Sequence, residues 1–367
     1  MKKPQLLIGA ASENSDIRYL TGLETPDAFV CIKREERCFA LLSALEFDKG
    51  RKRAKCGVSV LRAGNYGRTF VEQIAAWANE WHCRSFDVPF DFPLGMAELL
   101  RESGLTVTPV KKTFLPEREF KTAAEVVWVT SALRSAEKGM MRAVRIIADS
   151  SVDAKGRLIF EKKILTSERL RTEIEVELLR HGTTSGETIA SCGPHSAMPH
   201  HRGTGPIFAN RPIVIDIFPR SLENGYFGDL TRTLVKGRFA PCAKEAFCAV
   251  IAARELAKTL IRAGAIPADI HEAAAREMEK RGFATGFDGE HNFGFFHGLG
   301  HGVGLEIHES PRLGPKNRTA LSGGEIVTDE PGLYYPEWGG IRMEDMVLVE
   351  EKSCRTLTQI ADYGEID

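Results

Sequence analysis

Residues 296–310 read FHGLGHGVGLEIHES, with glycines at 298, 300, 302 and 304. Glycines at that spacing strip side chains from around His301, so that backbone and ligand can approach closely. A lone histidine in such a stretch is ordinarily a satisfied core residue. Three of them, His297, His301 and His308, set around a glycine lattice read as chemistry. The rest of the chain repeats the signal, because nine of its ten histidines fall between His181 and His308.

Two acidic stretches accompany this one. In PIVIDIFPRSLENGYFGDLTRTL, IVID reads as a buried strand ending in Asp216, and Asp229 opens a second strand after a turn-rich stretch. A hairpin can bring both carboxylates to one pole, although an aspartate at a strand end more often caps a turn. In IVTDEPGLYYPEWGGIRMEDMVLV, Glu330 follows an apolar strand and Glu344 sits in a second one, fourteen residues on. A carboxylate in a strand built for burial costs several kcal/mol unless paired. A cation would pair it; for Glu344 the plainer partner is Arg342. Strand alternation aims the adjoining Asp329 and Asp345 to the opposite face.

Four carboxylates and one imidazole form an oxygen-rich donor set. It suits Mn²⁺, Fe²⁺, Co²⁺ or Mg²⁺ better than a structural zinc site, which prefers Cys and His. Four carboxylates carry more charge than one dication neutralises, so two metal ions fit the balance.

The remaining composition is that of a soluble globular protein: 367 residues, 43% hydrophobic and 27% charged, with a net charge of -1. No large field of one sign is implied, which argues against nucleic acid and anionic membrane as partners. The eight cysteines form no C-x-x-C pair and read as reduced thiols in a cytoplasmic protein. Lys2 and Lys3 precede an apolar stretch, Leu6 to Ala11, too short for a signal-peptide core. No run approaches the roughly 20 apolar residues of a membrane span.

Length implies two domains. Residues 1–118 alternate strands (QLLIG, AFVCI, CFALL, VSVL, LTVTPV) with helices at Thr69–Glu80 and Leu94–Glu102, which predicts a small α/β domain. Residues 119–367 open on a long helix. Thr122 and Glu125 form its capping box, and Val126, Val129, Leu133, Ala136, Met140, Val144 and Ile147 form its buried face. Leu170, Ile174 and Leu178 share another helix face, ending at Gly182. A long helix spans about 243–263, and one more begins at Asp269 with Glu272 three residues on. Strands dominate thereafter, giving an α+β second domain.

The order Asp, Asp, His, Glu, Glu resembles the pita-bread metallopeptidases, a family of methionyl aminopeptidases, Xaa-Pro aminopeptidases, Xaa-Pro dipeptidases (prolidases) and creatinase. HGLGHGVGLEIHE matches the signature of the Xaa-Pro branch, and DEPGLYYPEWGGIRMED looks like that branch's closing motif. GPHSAMPHH is similar to the stretch ending in a catalytic histidine, here His200, and SDIRYLTGL is similar to the N-terminal domain of Xaa-Pro peptidases and creatinase. The resemblance implies a pita-bread catalytic domain behind a smaller creatinase-like α/β domain. It implies Asp216, Asp229, His301, Glu330 and Glu344 as ligands of two divalent metal ions, Mn²⁺ first, with Co²⁺, Zn²⁺ and Fe²⁺ as alternatives. Glu330 would double as general base, His200 and His308 would act on the scissile bond, and His297 and Arg342 would bind substrate. The substrate would be a short peptide cleaved before proline, and the assembly a homodimer.

The chain departs from the family in places. A glycine is usual two residues after the first ligand, where this chain has Phe218. The thirteen-position step from Asp216 to Asp229 is longer than usual. His195 and His201 replace a common asparagine and tyrosine, and read as neighbours of the site. Three other readings compete. A methionyl aminopeptidase is disfavoured by the N-terminal domain. A creatinase-like amidinohydrolase needs no metal. A non-catalytic peptide-binding module would not keep all five ligands.

Overall fold

A computed structural model describes residues 3–367; Lys2, half of the basic pair at the N-terminus, lies outside the described residues. The chain divides into two compact units, Met1–Arg118 and Glu119–Asp367.

The first unit is a six-stranded sheet with helices. Its elements run β1 Gln5–Gly9, α1 Ser15–Thr21, β2 Phe29–Arg34, β3 Arg37–Leu42, α2 Ala44–Arg53, β4 Val58–Arg62, α3 Phe70–Glu80, β5 Ser85–Pro89, α4 Leu94–Glu102 and β6 Thr106–Val110. The strand order is β4-β3-β2-β1-β5-β6. β1, β2 and β3 pair antiparallel, and the outer strands join in parallel. Alternation buries both faces: Leu6, Val30 and Ile32 pack with Ile74 and Trp77, whereas Leu7, Phe29 and Cys31 pack with Ile17 and Leu23. Three elements escape the sequence reading. β5 is short and carries Asp87 and Pro89. α2 buries only Phe47 and Gly50, so it shows no apolar stripe. α1 is two turns held by the Asn14 side chain, which accepts from the Ile17 N–H.

The second unit opens on α5, Ala123–Ala148. Thr122 and Glu125 close the expected capping box at its start. Val129, Leu133, Ala136, Met140 and Ile147 are buried, while Val126 and Val144 are half-buried at the stripe's edge. α6, Ser167–Arg180, buries Leu170, Ile174 and Leu178. α7 spans Pro241–Leu260. α8, Pro267–Lys280, corrects the reading that placed its start at Asp269. Ile266 is the N-cap residue and Pro267 takes the first turn, where a missing N–H is harmless. Asp269 and Glu272 instead pair with Arg318.

Two sheets follow. Ile189–Cys192, Ile213–Ile217, Leu230–Lys236 and Gly364–Ile366 form a four-stranded sheet. Glu309–Leu313, Gly300–Gly302, Ile326–Asp329, Asp345–Val349 and Cys354–Thr356 form a five-stranded one. The hairpin Gly332–Tyr335/Gly339–Arg342 is one of several smaller sheets beside them. α7 and α8 pack together over a core that includes Phe247, Val250, Val327 and Ile341. No helix among the described residues is long and apolar enough to cross a membrane.

Glu325, buried just before Ile326–Asp329, has its carboxyl pushed up to about 7 by burial, with Glu119 adding. The fold therefore favours its protonated form. The stability it contributes is present below its ordinary pKa near 4.5 and is lost as pH rises through 7. Glu325→Gln should raise the thermal midpoint at pH 8.5, a gain on the order of 2 kcal/mol, and change little at pH 5. An equal shift at both pH values would show that packing, not ionisation, is responsible.

Candidate metal centre and active site

The glycine lattice builds the centre of the site. A Cβ on Gly300 would lie 2.0 Å from the Thr328 carbonyl oxygen, and one on Gly302 would lie 2.2 Å from that of Ser310. No other residue allows these strands to approach so closely. Between them, the His301 N–H donates to Thr328 Oγ1 at 3.0 Å. The His301 ring sets Nδ1 3.1 Å from the Gly302 carbonyl. A carbonyl can only accept, so Nδ1 carries a proton; Nε2 donates to the carboxylates when the ring is charged and presents a lone pair to a cation when it is neutral. Nε2 lies 3.2 Å from Glu330 Oε1 and 3.6 Å from Asp229 Oδ2.

The four-stranded sheet supplies two aspartates. Asp216 is on Ile213–Ile217 and Asp229 directly precedes Leu230–Lys236, its antiparallel neighbour. Glu344 is brought alongside by two bonds to Thr231: its N–H donates to the Thr231 carbonyl at 3.1 Å, and Thr231 Oγ1 donates to Glu344 Oε2 at 2.9 Å. Ligand atoms of Asp229, His301 and Glu344 all lie within 4.8 Å of one another.

Arg342 does not pair with Glu344, which corrects the plainer sequence reading. Its Nη2 donates to Asp216 Oδ2 at 2.7 Å, and Nη1 donates to the Tyr334 hydroxyl at 2.9 Å. It lines the cavity, but these donors face protein acceptors. His297 sits between Gly298 O at 2.7 Å and the Tyr334 hydroxyl at 3.0 Å. Tyr334 and Thr231 were missed in the sequence. Tyr334 stands four residues after Glu330, which was the available cue.

Burial, then the neighbouring carboxylates, hold Asp229 and Glu344 well above the usual carboxylate range. Burial raises Asp216 as well, against the pull of Arg342. Burial also pushes on Glu330, but the His301 hydrogen bond and charge outweigh it and hold it at about 2. Asp216 Oδ1 and Glu344 Oε1 are buried and accept no hydrogen bond. Four carboxylates around one arginine and one imidazole, with two orphaned oxygens, are a donor set that fits divalent cations.

The adjoining acids face away, as alternation requires. Asp345 lies against Arg232 at 2.8 Å, Lys258 at 2.5 Å and Arg254 at 3.4 Å. Burial opposes its ionisation, yet these three cations hold it at about 2. Asp329, its strand partner, is fully buried.

A cavity of about 740 Å³ is lined by the four acids and the imidazole, together with His200, His297 and His308. His195 and His201 stack on each other, with ring centroids 4.4 Å apart, outside that lining. The His308 ring meets His301 edge-on at 4.4 Å. Burial, then the charges of His301 and Arg312, push the His308 pKa down to about 4. It is a neutral hydrogen-bonding group at pH 7.

The chain is similar to known peptidases. The Xaa-Pro dipeptidase of Pyrococcus furiosus is 31% identical over 247 residues, 66% of this chain and 64% of that protein. The Xaa-Pro dipeptidase of Pyrococcus horikoshii is 25% identical over 354 residues, 95% of this chain and 91% of that one. The X-Pro aminopeptidase structure from Thermotoga maritima superposes with a TM-score of 0.84 at 21% identity, covering 100% of this chain and 97% of that one. The fold is thus the pita-bread one that the motifs implied. Residues 132–351, the span holding every one of the converging acids and imidazoles, match metallopeptidase family M24, and the chain belongs to that family.

Proposed function

We propose that this chain hydrolyses the bond between an N-terminal residue and a following proline, as an Xaa-Pro aminopeptidase or Xaa-Pro dipeptidase. Glu119–Asp367 is its catalytic domain, and Asp216, Asp229, His301, Glu330 and Glu344 hold two divalent cations, Mn²⁺ by preference. The observation that carries the reading is the meeting of Asp229, His301 and Glu344 within 4.8 Å at the floor of a histidine-lined cavity. The names of the Pyrococcus relatives support the proline specificity.

Divalent cations supply Lewis acidity there: they bring the pKa of water toward neutrality and stabilise charge on a carbonyl oxygen. The chain supplies the rest. Glu330 accepts the proton of the attacking water and passes it to the leaving nitrogen. His308, neutral at working pH, donates to the carbonyl oxygen as charge develops. His200, which lines the same cavity, serves the same end. His297, fixed by Gly298 and Tyr334, is a flat wall for the proline ring. A proline nitrogen has no N–H to be held by, so recognition falls to ring shape and carbonyl. Arg342 orients Asp216 at the cavity wall. The resemblance further supports a cytoplasmic homodimer, which light scattering would check.

The test is a panel of Xaa-Pro, Xaa-Pro-Yaa and Xaa-Ala peptides with Mn²⁺ supplied. One of the proline series should be turned over fastest. Preference for Xaa-Ala, or for Met-Ala-Yaa, would overturn the proline reading and leave the metal centre standing.

A further inference from the structure

Strand Ile213–Ile217 sorts its side chains by alternation. Ile213, Ile215 and Ile217 are fully buried. Ile217 reaches α5, where a Cβ on Gly139 would lie 3.4 Å from Ile217 Cδ1. Asp216 and Phe218 take the other side, and both line the 740 Å³ cavity. The Phe218 ring therefore stands on the same wall as a proposed cation ligand. Ile189, opposite Asp216 in the neighbouring strand, continues that wall.

The turn after Phe218 is pinned at three points. The Gly228 N–H donates to Pro219 O at 3.0 Å, closing its base. Gly228 lies so near α5 that a Cβ there would sit 2.3 Å from the Leu133 nitrogen. The Phe227 N–H donates to Gly304 O at 2.8 Å, tying the turn to the glycine lattice beside His308. The hairpin cannot swing the ring aside without breaking these contacts.

We propose that Phe218 sets an upper size limit on the residue that precedes the cleaved bond. The limit rests on the peptidase reading above, in which His297 takes the proline side and His308 the carbonyl oxygen. The wall of Phe218 and Ile189 then meets the other side chain. A rigid ring discriminates by exclusion: a bulky first residue clashes with it, and a small one does not.

The test uses wild type, Phe218→Leu and Phe218→Ala with Mn²⁺. Each cleaves Ala-Pro, Phe-Pro, Ala-Ala and Phe-Ala, offered as dipeptides and with a C-terminal alanine added. The readout is the ratio of kcat/KM for the Phe peptide to that for its Ala partner. Both are measured on one preparation, so the folded fraction cancels. Phe218→Ala should raise the ratio roughly tenfold or more, with Phe218→Leu between it and wild type. A ratio within about twofold of wild type, or a fall, overturns the inference. If only the Xaa-Ala peptides are cleaved, the proline reading fails, and the Phe-Ala to Ala-Ala ratio alone then decides the role of Phe218.

Discussion

Dialysis of the purified protein against a strong chelator should abolish peptide hydrolysis, and added Mn²⁺ should restore it. The cause lies in the donor set. Asp216, Asp229, Glu330 and Glu344 crowd one buried site, with Arg342 and His301 as ion-pair partners of Asp216, Asp229 and Glu330. Without cations the site has no Lewis acid, and its carboxylates repel. The same treatment should lower the thermal midpoint, because ligands bound only by the folded state stabilise it by mass action. The pH trend gives a second readout. Asp229 and Glu344 are raised in the stripped fold. Their contribution is therefore present at low pH and lost as pH rises through the raised values. Stripped protein should lose stability toward alkaline pH more steeply than loaded protein. Full activity in a preparation holding well under one equivalent of metal would refute the site.

Glu330→Gln should lower turnover by roughly 10²–10⁴ at saturating Mn²⁺, the usual worth of a general base. Glutamine keeps the size and one carbonyl oxygen, so the contact with Thr328 Oγ1, at 3.3 Å in the wild type, has an acceptor still. What it removes is the second, proton-accepting oxygen. Weakened cation binding would add to the loss, so metal content must be measured beside kcat. A Gln variant that keeps more than a tenth of wild-type turnover with full metal would exclude the base role.

What the sequence revealed depended on how local its cause was. The capping box at Thr122 and Glu125 was legible because both partners sit within one turn. The cation-binding candidates were legible because carboxylates in apolar strands and a histidine among glycines each contradict their surroundings. The partner of Arg342 was not legible, because Asp216 lies 126 residues away and is reached only through sheet pairing. Thr231 stayed hidden for the same reason: a threonine in a strand looks like any β-former until a register sets it against Glu344. The start of α8 moved because Pro267 opens a helix without a side-chain cap, leaving Asp269 as the more conspicuous signal. β5 was missed because five residues with one charge and one proline carry too little pattern.

The tandem acids Asp329–Glu330 and Glu344–Asp345 bear on how the chain finds its register. Their strands pair antiparallel, with Asp329 opposite Asp345. A one-residue slip would turn Asp329 or Asp345 toward the cations and send a glutamate to the rear. The cation site would still meet acids, so metal alone is a poor judge of correct pairing. Arg232, Arg254 and Lys258 are the better judge: a slip would draw Asp345 out of their grip. The face that does no chemistry thereby guards the alignment of the face that does.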